Sequence, residues 1–289
     1  MERILVSGAN GQLGKCLQRQ ARNHNEFEFH FLTSSDWDIT DNESTRAVFD
    51  RIEPDILINC AAYTNVDGAE DERKKAFAIN ADALLGIVNQ CNQHDTFLIH
   101  ISTDYVFNGK TSSAYKESDA CDPINTYGQS KRQGEQVIEQ NARHAAIVRT
   151  SWLYSAFGKN FLTSMLALGK QGVDLKIVNN QFGSPTNAND LANFLLKLAR
   201  QPASGNQYFH FCNSGKTNWH DFADAIFKVA GIRDQVTLAP TDHYPTKAER
   251  PENSLLDCTK IADHLKADIP HWRESLAKWY DRDKKDALI

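Results

Sequence analysis

The sequence predicts an α/β fold: a doubly wound parallel sheet of Rossmann type followed by a smaller C-terminal α/β lobe. Three observations carry this. Over the first 150 residues, short runs rich in β-branched and aromatic residues alternate with longer stretches of helical periodicity. A turn with glycines three residues apart, Gly8-Ala9-Asn10-Gly11-Gln12-Leu13-Gly14, joins the first of these runs to the first helical stretch. Past Thr150 the pattern loosens into helices separated by loops rich in Gly, Pro and Asn.

Strands are predicted at 3–7, 27–32, 55–59, 97–102 and 146–149, and helices at 14–22, 43–52, 70–91 and 125–140. The order is βαβαβαβαβ, which places helices on both faces of a parallel sheet. Several helices open on Asn, Asp or Ser, whose side chains satisfy the free N–H groups of a first turn. Residues 1–150 are expected to form a dinucleotide-binding domain. Residues 151–289, with helices at 161–170, 189–200 and 219–230, are expected to form mainly a substrate-binding lobe, some segments returning to the first domain. The stretch after Lys260 reads as helical and highly charged, ending in Asp281-Arg282-Asp283-Lys284-Lys285-Asp286, and is expected as a solvated end.

Bulk properties exclude several classes. Of 289 residues, 41% are hydrophobic and 24% charged, enough apolar mass for a buried core and too much for a disordered chain. A net charge of -5 lacks the basic field of a nucleic-acid binder, so an anionic ligand needs a local positive pocket. The six cysteines (Cys16, Cys60, Cys91, Cys121, Cys212, Cys258) are scattered, with no Cys-x-x-Cys pair and no histidine at zinc-like spacing. Reduced thiols and no metal site are expected. The apolar run at 3–6 is too short for a secretory segment, and no stretch reaches the roughly 18 apolar residues of a membrane span. No membrane association and a cytoplasmic location are the expectation.

The glycine turn has a physical reading. Gly8 permits the tight turn, Gly11 lets a pyrophosphate approach the backbone, and Gly14 allows the helix to pack closely with its N-terminus facing the anion. Gly11, Gln12 and Leu13 would supply main-chain donors. An ordinary tight turn also tolerates glycine, but this one opens the first βα unit, where a dinucleotide binds.

At the end of the second strand, an acid ordinarily bonds the ribose 2′-hydroxyl of NAD. Here the chain offers Thr33-Ser34-Ser35, with no carboxylate to repel a 2′-phosphate and hydroxyls such as that of Ser34 to bond it. NADPH is expected as cofactor, and Asp36 nearby keeps NADH possible.

The fourth strand runs into Ser102-Thr103-Asp104, and the next helix carries Tyr127 and Lys131, four residues apart and so on one helical face. Carbonyl reduction needs a proton donor beside an oxygen that becomes anionic, and an ammonium nearby lowers the pKa of a phenol. Tyr127 is the expected acid, Lys131 its tuner and Thr103 a second donor to the carbonyl, while Asp104 could fix a sugar hydroxyl. Tyr280 and Lys284 repeat the spacing in the charged tail, where they read as a surface pair.

Around these residues the chain resembles the dTDP-4-dehydrorhamnose reductases, extended short-chain dehydrogenases. The resemblance covers nearly the whole length. Its segments are the glycine turn, Asp38-Ile39, Asn59-Cys60-Ala61-Ala62-Tyr63-Thr64-Asn65-Val66-Asp67, Ser102 through Phe107, Tyr127-Gly128 through Lys131, Arg149-Thr150-Ser151-Trp152-Leu153-Tyr154, Gln181-Phe182-Gly183-Ser184-Pro185-Thr186 and Arg250-Pro251.

The resemblance implies that Asp38 and Ile39 flank the adenine and that Ala62, Tyr63 and Thr64 line the cofactor. Ala61 with Ala62 is also small enough for a cofactor to lie across. It further implies that Thr103, Asp104 and Trp152 touch a nucleotide-sugar substrate, that Arg250 meets its diphosphate, and that Lys131 holds the nicotinamide ribose. Some members bridge a dimer through magnesium held by glutamates, where this chain has Cys16 and Asn189. A thiol and a neutral amide suit a hard cation poorly, so a monomer or a dimer without magnesium is expected. Two other readings share these motifs: a reductase or epimerase for another nucleotide 4-ketosugar, and a non-catalytic regulatory subunit of the methionine adenosyltransferase type. Intact Thr103, Tyr127 and Lys131 weigh against the latter.

Overall fold

The computed structural model describes residues 1–283. The first part runs β1 (Glu2–Ser7), α1 (Gln12–Ala21), β2 (Phe27–Phe31), α2 (Asn42–Ile52), β3 (Ile56–Asn59), α3 (Val66–Asp71), α4 (Arg73–Phe77), a π-helical turn (Ala78–Asp82), α5 (Ala83–His94), β4 (Phe97–Thr103), α6 (Thr126–Asn141) and β5 (Ala145–Thr150). The rest runs β6 (Leu153–Tyr154), α7 (Phe161–Lys170), β7 (Leu175–Val178), β8 (Phe182–Gly183), β9 (Thr186–Asn187), α8 (Ala188–Arg200), β10 (Asn206–Phe211), β11 (Thr217–Asn218), α9 (Trp219–Val229), β12 (Leu238–Thr241), α10 (Thr259–Leu265) and α11 (Trp272–Asp283).

Six strands form one parallel sheet in the order β10-β5-β4-β3-β1-β2. The chain steps from β1 outward to β2, then returns to β3 on the other side of β1. The order therefore reverses at β1, and doubly wound sheets open a ligand crevice at the carboxyl edge of such a switch point.

Alternation along each strand builds two cores. Ile4, Val6, Ile56, Ile58, Ile99 and Val148 face α1 and α8, meeting Leu13, Leu17, Leu191 and Leu195. Leu5, Leu57, Leu98 and Ile147 face the other way, onto Phe49 of α2, Ile87 of α5 and Ile138 of α6. Each such side chain contributes roughly 1.5–3 kcal/mol by leaving water. A third cluster packs α7, α9 and α11 through Leu162, Phe222, Phe227, Trp272 and Trp279. Asparagine opens many of the helices: Asn125, Asn160, Asn187 and Asn218 each accept a first-turn N–H, and Asp41 does so for α2.

Three features depart from what the pattern predicted. The sixth strand, β10, was invisible among loops, yet it pairs with β5 along its whole length. With α8 it brings part of the C-terminal half back onto the first sheet, the kind of return expected for that half. The long predicted helix at 70–91 is broken into α3, α4 and α5, with a π-helical turn that carries Asn80. Asn80 binds both N and O of Tyr63 and donates to Ser130 on α6, so the bulge staples the loop after β3 to the helix bearing Tyr127.

The third is a correction: the charged tail is not solvated as far as Asp283. That carboxylate is fully buried, pairing with Arg19 of α1 and with Arg282 and accepting from the Asn189 amide at 3.0 Å. The apolar face of α11 docks on the third cluster and takes its last charge inside. Lys284, Lys285 and Asp286 lie outside the described residues, so of the second Tyr-Lys pair only Tyr280 is described. Among the described residues, no helix is long and apolar enough to cross a membrane.

Candidate active site

A cleft of about 850 Å³ opens at the carboxyl edge of the sheet, over the switch point. Its floor is the glycine turn. Gly8 has φ +64°, and a Cβ there would sit 2.8 Å from the backbone of Cys60 and Ala61. At Gly14 a Cβ would meet Gly8 O at 2.5 Å and Ala9 Cα at 2.7 Å, so α1 can start this close to β1 because both positions are bare. The Gly11 N–H is not left for a ligand: it closes the turn onto Gly8 O at 2.9 Å. The open donors are those of Gln12 and Leu13, which start α1 and have no intrahelical acceptor.

Gly8, Gly11, Gln12, Leu13, Gly14, Ser34, Asp38, Ile39, Ala61, Ala62 and Thr64 all line this cleft. Tyr63 does not; its hydroxyl turns away to Glu72 at 2.7 Å. Asp36 also stays outside, folded back so that Oδ2 takes the N–H and hydroxyl of Thr33 at 2.9 and 2.6 Å. Those bonds hold its carboxyl below the usual range. The Asp38 carboxylate is likewise spent on Thr40.

Thr103, Asp104, Tyr127, Lys131 and Trp152 share the opposite wall. Thr103 ends β4, and its hydroxyl takes the Tyr105 N–H and donates to Asp104 at 3.0 Å. It also contacts the Tyr127 phenol, which burial pushes above its ordinary pKa while that contact opposes the shift. Burial pushes Asp104 up to about 7, against the bond from Thr103.

Lys131 reaches inward from α6, its Nζ donating to Ile101 O at 2.7 Å and lying 3.1 Å from His100 Nε2. Burial lowers the ammonium to about 8, with Glu135 opposing. Trp152 sits at φ +46°, a strained conformation for a bulky residue. It is held there by a stack on Trp219, centroids 3.6 Å apart. A Cβ at Gly183 would strike the Trp152 ring at 2.8 Å, which explains the glycine of the Gly-Ser-Pro-Thr segment.

Arg250 stands apart. It is not among the residues lining the cleft but pairs with Asp67 at 3.0 Å and reaches the Tyr105 hydroxyl. Sequence reasoning missed Lys159 and Lys75, two further cations lining the cleft, and Ser7, whose strand-end position alone could have marked it. Lys159 comes from the loop after β6, which is clasped over the glycine turn where Ser155 and Asn160 both donate to Gln12 Oε1 at 3.0 and 2.9 Å.

A doubly wound sheet with a glycine turn at its switch point, facing Thr, Tyr and Lys from β4 and α6, defines a protein of the short-chain dehydrogenase/reductase class. Within that class, the family model described as the RmlD substrate binding domain matches residues 1–285, and the chain belongs to that family. It is similar to the spore coat polysaccharide biosynthesis protein SpsK of Bacillus subtilis (strain 168), 39% identical over 281 residues, covering 96% of this chain and 97% of that one. The dTDP-4-dehydrorhamnose reductase of Aggregatibacter actinomycetemcomitans is 36% identical over 286 residues, covering 96% and 97%. The crystal structure of dTDP-4-dehydrorhamnose reductase from Bacillus anthracis str. Ames in complex with NADP superposes with a TM-score of 0.92 at 36% identity, covering 97% of this chain and 99% of that one.

Proposed function

We propose that this protein reduces dTDP-4-dehydro-6-deoxy-L-mannose (dTDP-4-dehydrorhamnose) to dTDP-L-rhamnose, using NADPH and accepting NADH. One observation carries the reading: Thr103, Tyr127 and Lys131 face the glycine turn across a single cleft. The site fits a dinucleotide, since Gly8 and Gly14 leave bare backbone where side chains cannot go and α1 presents its N-terminus there. When bound, the reduced nicotinamide supplies the hydride.

The protein's own residues supply position and proton. Gln12 and Leu13 offer N–H donors to the pyrophosphate, and Lys159 adds positive charge. Asp38 and Ile39 flank the adenine, and Ala61, Ala62 and Thr64 leave room beside it. Ser34 meets the 2′-phosphate, with the Asp36 charge turned aside.

Thr103 donates to the ketosugar oxygen, Tyr127 delivers its phenolic proton to that oxygen, and Lys131 steadies the phenolate left behind and the nicotinamide ribose. Asp104 bonds a sugar hydroxyl and Trp152 walls the sugar. Arg250 reaches the substrate diphosphate only by exchanging Asp67 for it. The chain from Ser151 onward, apart from α8 and β10, forms the substrate lobe. A monomer or a dimer without magnesium is supported by Cys16 and Asn189 standing where some members carry glutamates, the Asn189 amide being engaged by Asp283.

The test is oxidation of NADPH in the presence of the ketosugar nucleotide, with the product's configuration at C4 determined. Turnover to the L-rhamno product supports the reading. An inverted centre assigns another 4-ketosugar reductase, and no turnover with either cofactor overturns it.

A further inference from the structure

Beneath the cleft, a row of buried polar side chains crosses the sheet. Ser7 on β1 is in register with Asn59 on β3, and Asn59 with His100 on β4, so all three project on one face at the carboxyl edge. Each is about 1% exposed, as is Lys131. The Ser7 hydroxyl donates to Asn59 Oδ1 at 2.6 Å, Asn59 Nδ2 lies 3.1 Å from His100 Nδ1, and His100 Nε2 lies 3.1 Å from Lys131 Nζ.

The direction of this row is fixed at one end. The Ala61 backbone N–H lies 3.2 Å from Asn59 Oδ1 and 3.2 Å from Ser7 Oγ, and a backbone N–H can only donate. Asn59 must therefore keep its oxygen on that side and turn its amide N–H toward His100. His100 Nδ1 then accepts. Burial, with Lys131 beside it, keeps the imidazole neutral, so its single proton sits on Nε2 and points at Lys131. An Nε2–H facing an ammonium is donor against donor, whereas facing a neutral amine it makes a hydrogen bond while Nζ still donates to Ile101 O.

We propose that His100, oriented by Ser7 and Asn59, is a positioning residue that holds Lys131 as a poised, readily deprotonated amine in the cofactor-free site. The other groups facing Lys131 are Cys60 from the loop after β3 and, on α6 itself, Tyr127 and Glu135. Glu135 is already matched by Arg149 and Arg132. The inference rests on reading Lys131 as the partner of Tyr127. When the Tyr127 O–H bond breaks and its proton passes to the sugar oxygen, the Lys131 ammonium, already charged below about pH 8, meets the new phenolate.

Two measurements on the cofactor-free protein test this. Nitrogen NMR of the histidine rings reads the His100 tautomer directly. A proton on Nε2 is expected, and a proton on Nδ1 overturns the proposal. Isotope-edited NMR of lysine Cε, with Lys131 assigned by Lys131→Arg, follows its titration in wild type and in His100→Gln, whose side-chain carbonyl can accept from an ammonium. The wild-type midpoint is expected near pH 8, rising by about one pH unit or more in the variant. An unchanged midpoint in a folded variant overturns it, and the tautomer decides the matter if the variant does not fold. Neither readout involves turnover, so the reductase assignment and this inference fail separately.

Discussion

Arg149 on β5 lays Nε and Nη2 against the two oxygens of Glu135 on α6, each at 2.8 Å, with both side chains out of water. Ser102 donates to the same carboxylate at 2.6 Å, and the guanidinium lies over the rings of Tyr208 and Phe107. The pair fastens the helix bearing Tyr127 and Lys131 to the strands beneath it. Glu135→Gln leaves Arg149 buried without a counter-charge and is expected to destabilise the fold by about 3–5 kcal/mol in urea denaturation. A loss under about 1 kcal/mol would show that the pair does not hold α6.

Asp104 gives a pH signature of opposite sign to an ordinary surface carboxylate. Burial raises it from 3.8 to about 7 in the folded protein, so the fold binds a proton that the unfolded chain has already released. Its effect on stability is absent below pH 4 and grows as a penalty as pH rises through 7. Asp104→Asn removes that penalty. The variant's advantage over wild type is expected to be larger at pH 8 than at pH 5, by on the order of a few kcal/mol. Parallel denaturation curves at both pH values check this, and an equal difference at the two would contradict it.

Gly8 combines a left-handed φ with backbone contacts under 3 Å at the Cβ position. Gly8→Ala is expected to lower stability by about 1–3 kcal/mol and to weaken NADPH binding by at least about tenfold, because the turn must move. Calorimetric titration beside a thermal melt separates the two effects. Unaltered binding would detach the glycine turn from the cofactor.

At the far end of the chain, Asp283→Ala leaves Arg19 and Arg282 without their shared carboxylate and the Asn189 amide with one of its two acceptors, Asn187 Oδ1. Stability is expected to fall by about 2–4 kcal/mol, with the affinity for NADPH unchanged. If urea denaturation shows no loss, the docking of α11 rests on its apolar face alone.

Much of this was legible in the residues, and the exceptions have physical reasons. The first five strands and their helices were visible because each buried strand is a short apolar run with polar, periodic helices on either side. β10 was not: Asn-Gln-Tyr-Phe-His-Phe mixes polar and aromatic residues at a sheet edge and follows a helix whose partner lies far back in the chain. The glycine turn, Thr103, Tyr127 and Lys131 were readable because their spacing is local. What positions them was not. Ser7, Asn59 and His100 meet across three strands, Asn80 acts through a π-helical turn no periodicity announces, and Asp283 looked solvated because charge in sequence does not tell which carboxylate turns inward. Arg250 was singled out by charge, but charge could not say that Asp67 holds it.

The most direct test of the account is single-turnover reduction of dTDP-4-dehydrorhamnose by NADPH, with wild type and Tyr127→Phe compared at equal cofactor saturation. The substitution removes one hydroxyl and is expected to slow the chemical step by about 10²–10⁴-fold while NADPH binding persists. A variant that reduces the substrate within about threefold of the wild-type rate would take the proton donor away from Tyr127 and, with it, the role assigned to this wall of the cleft.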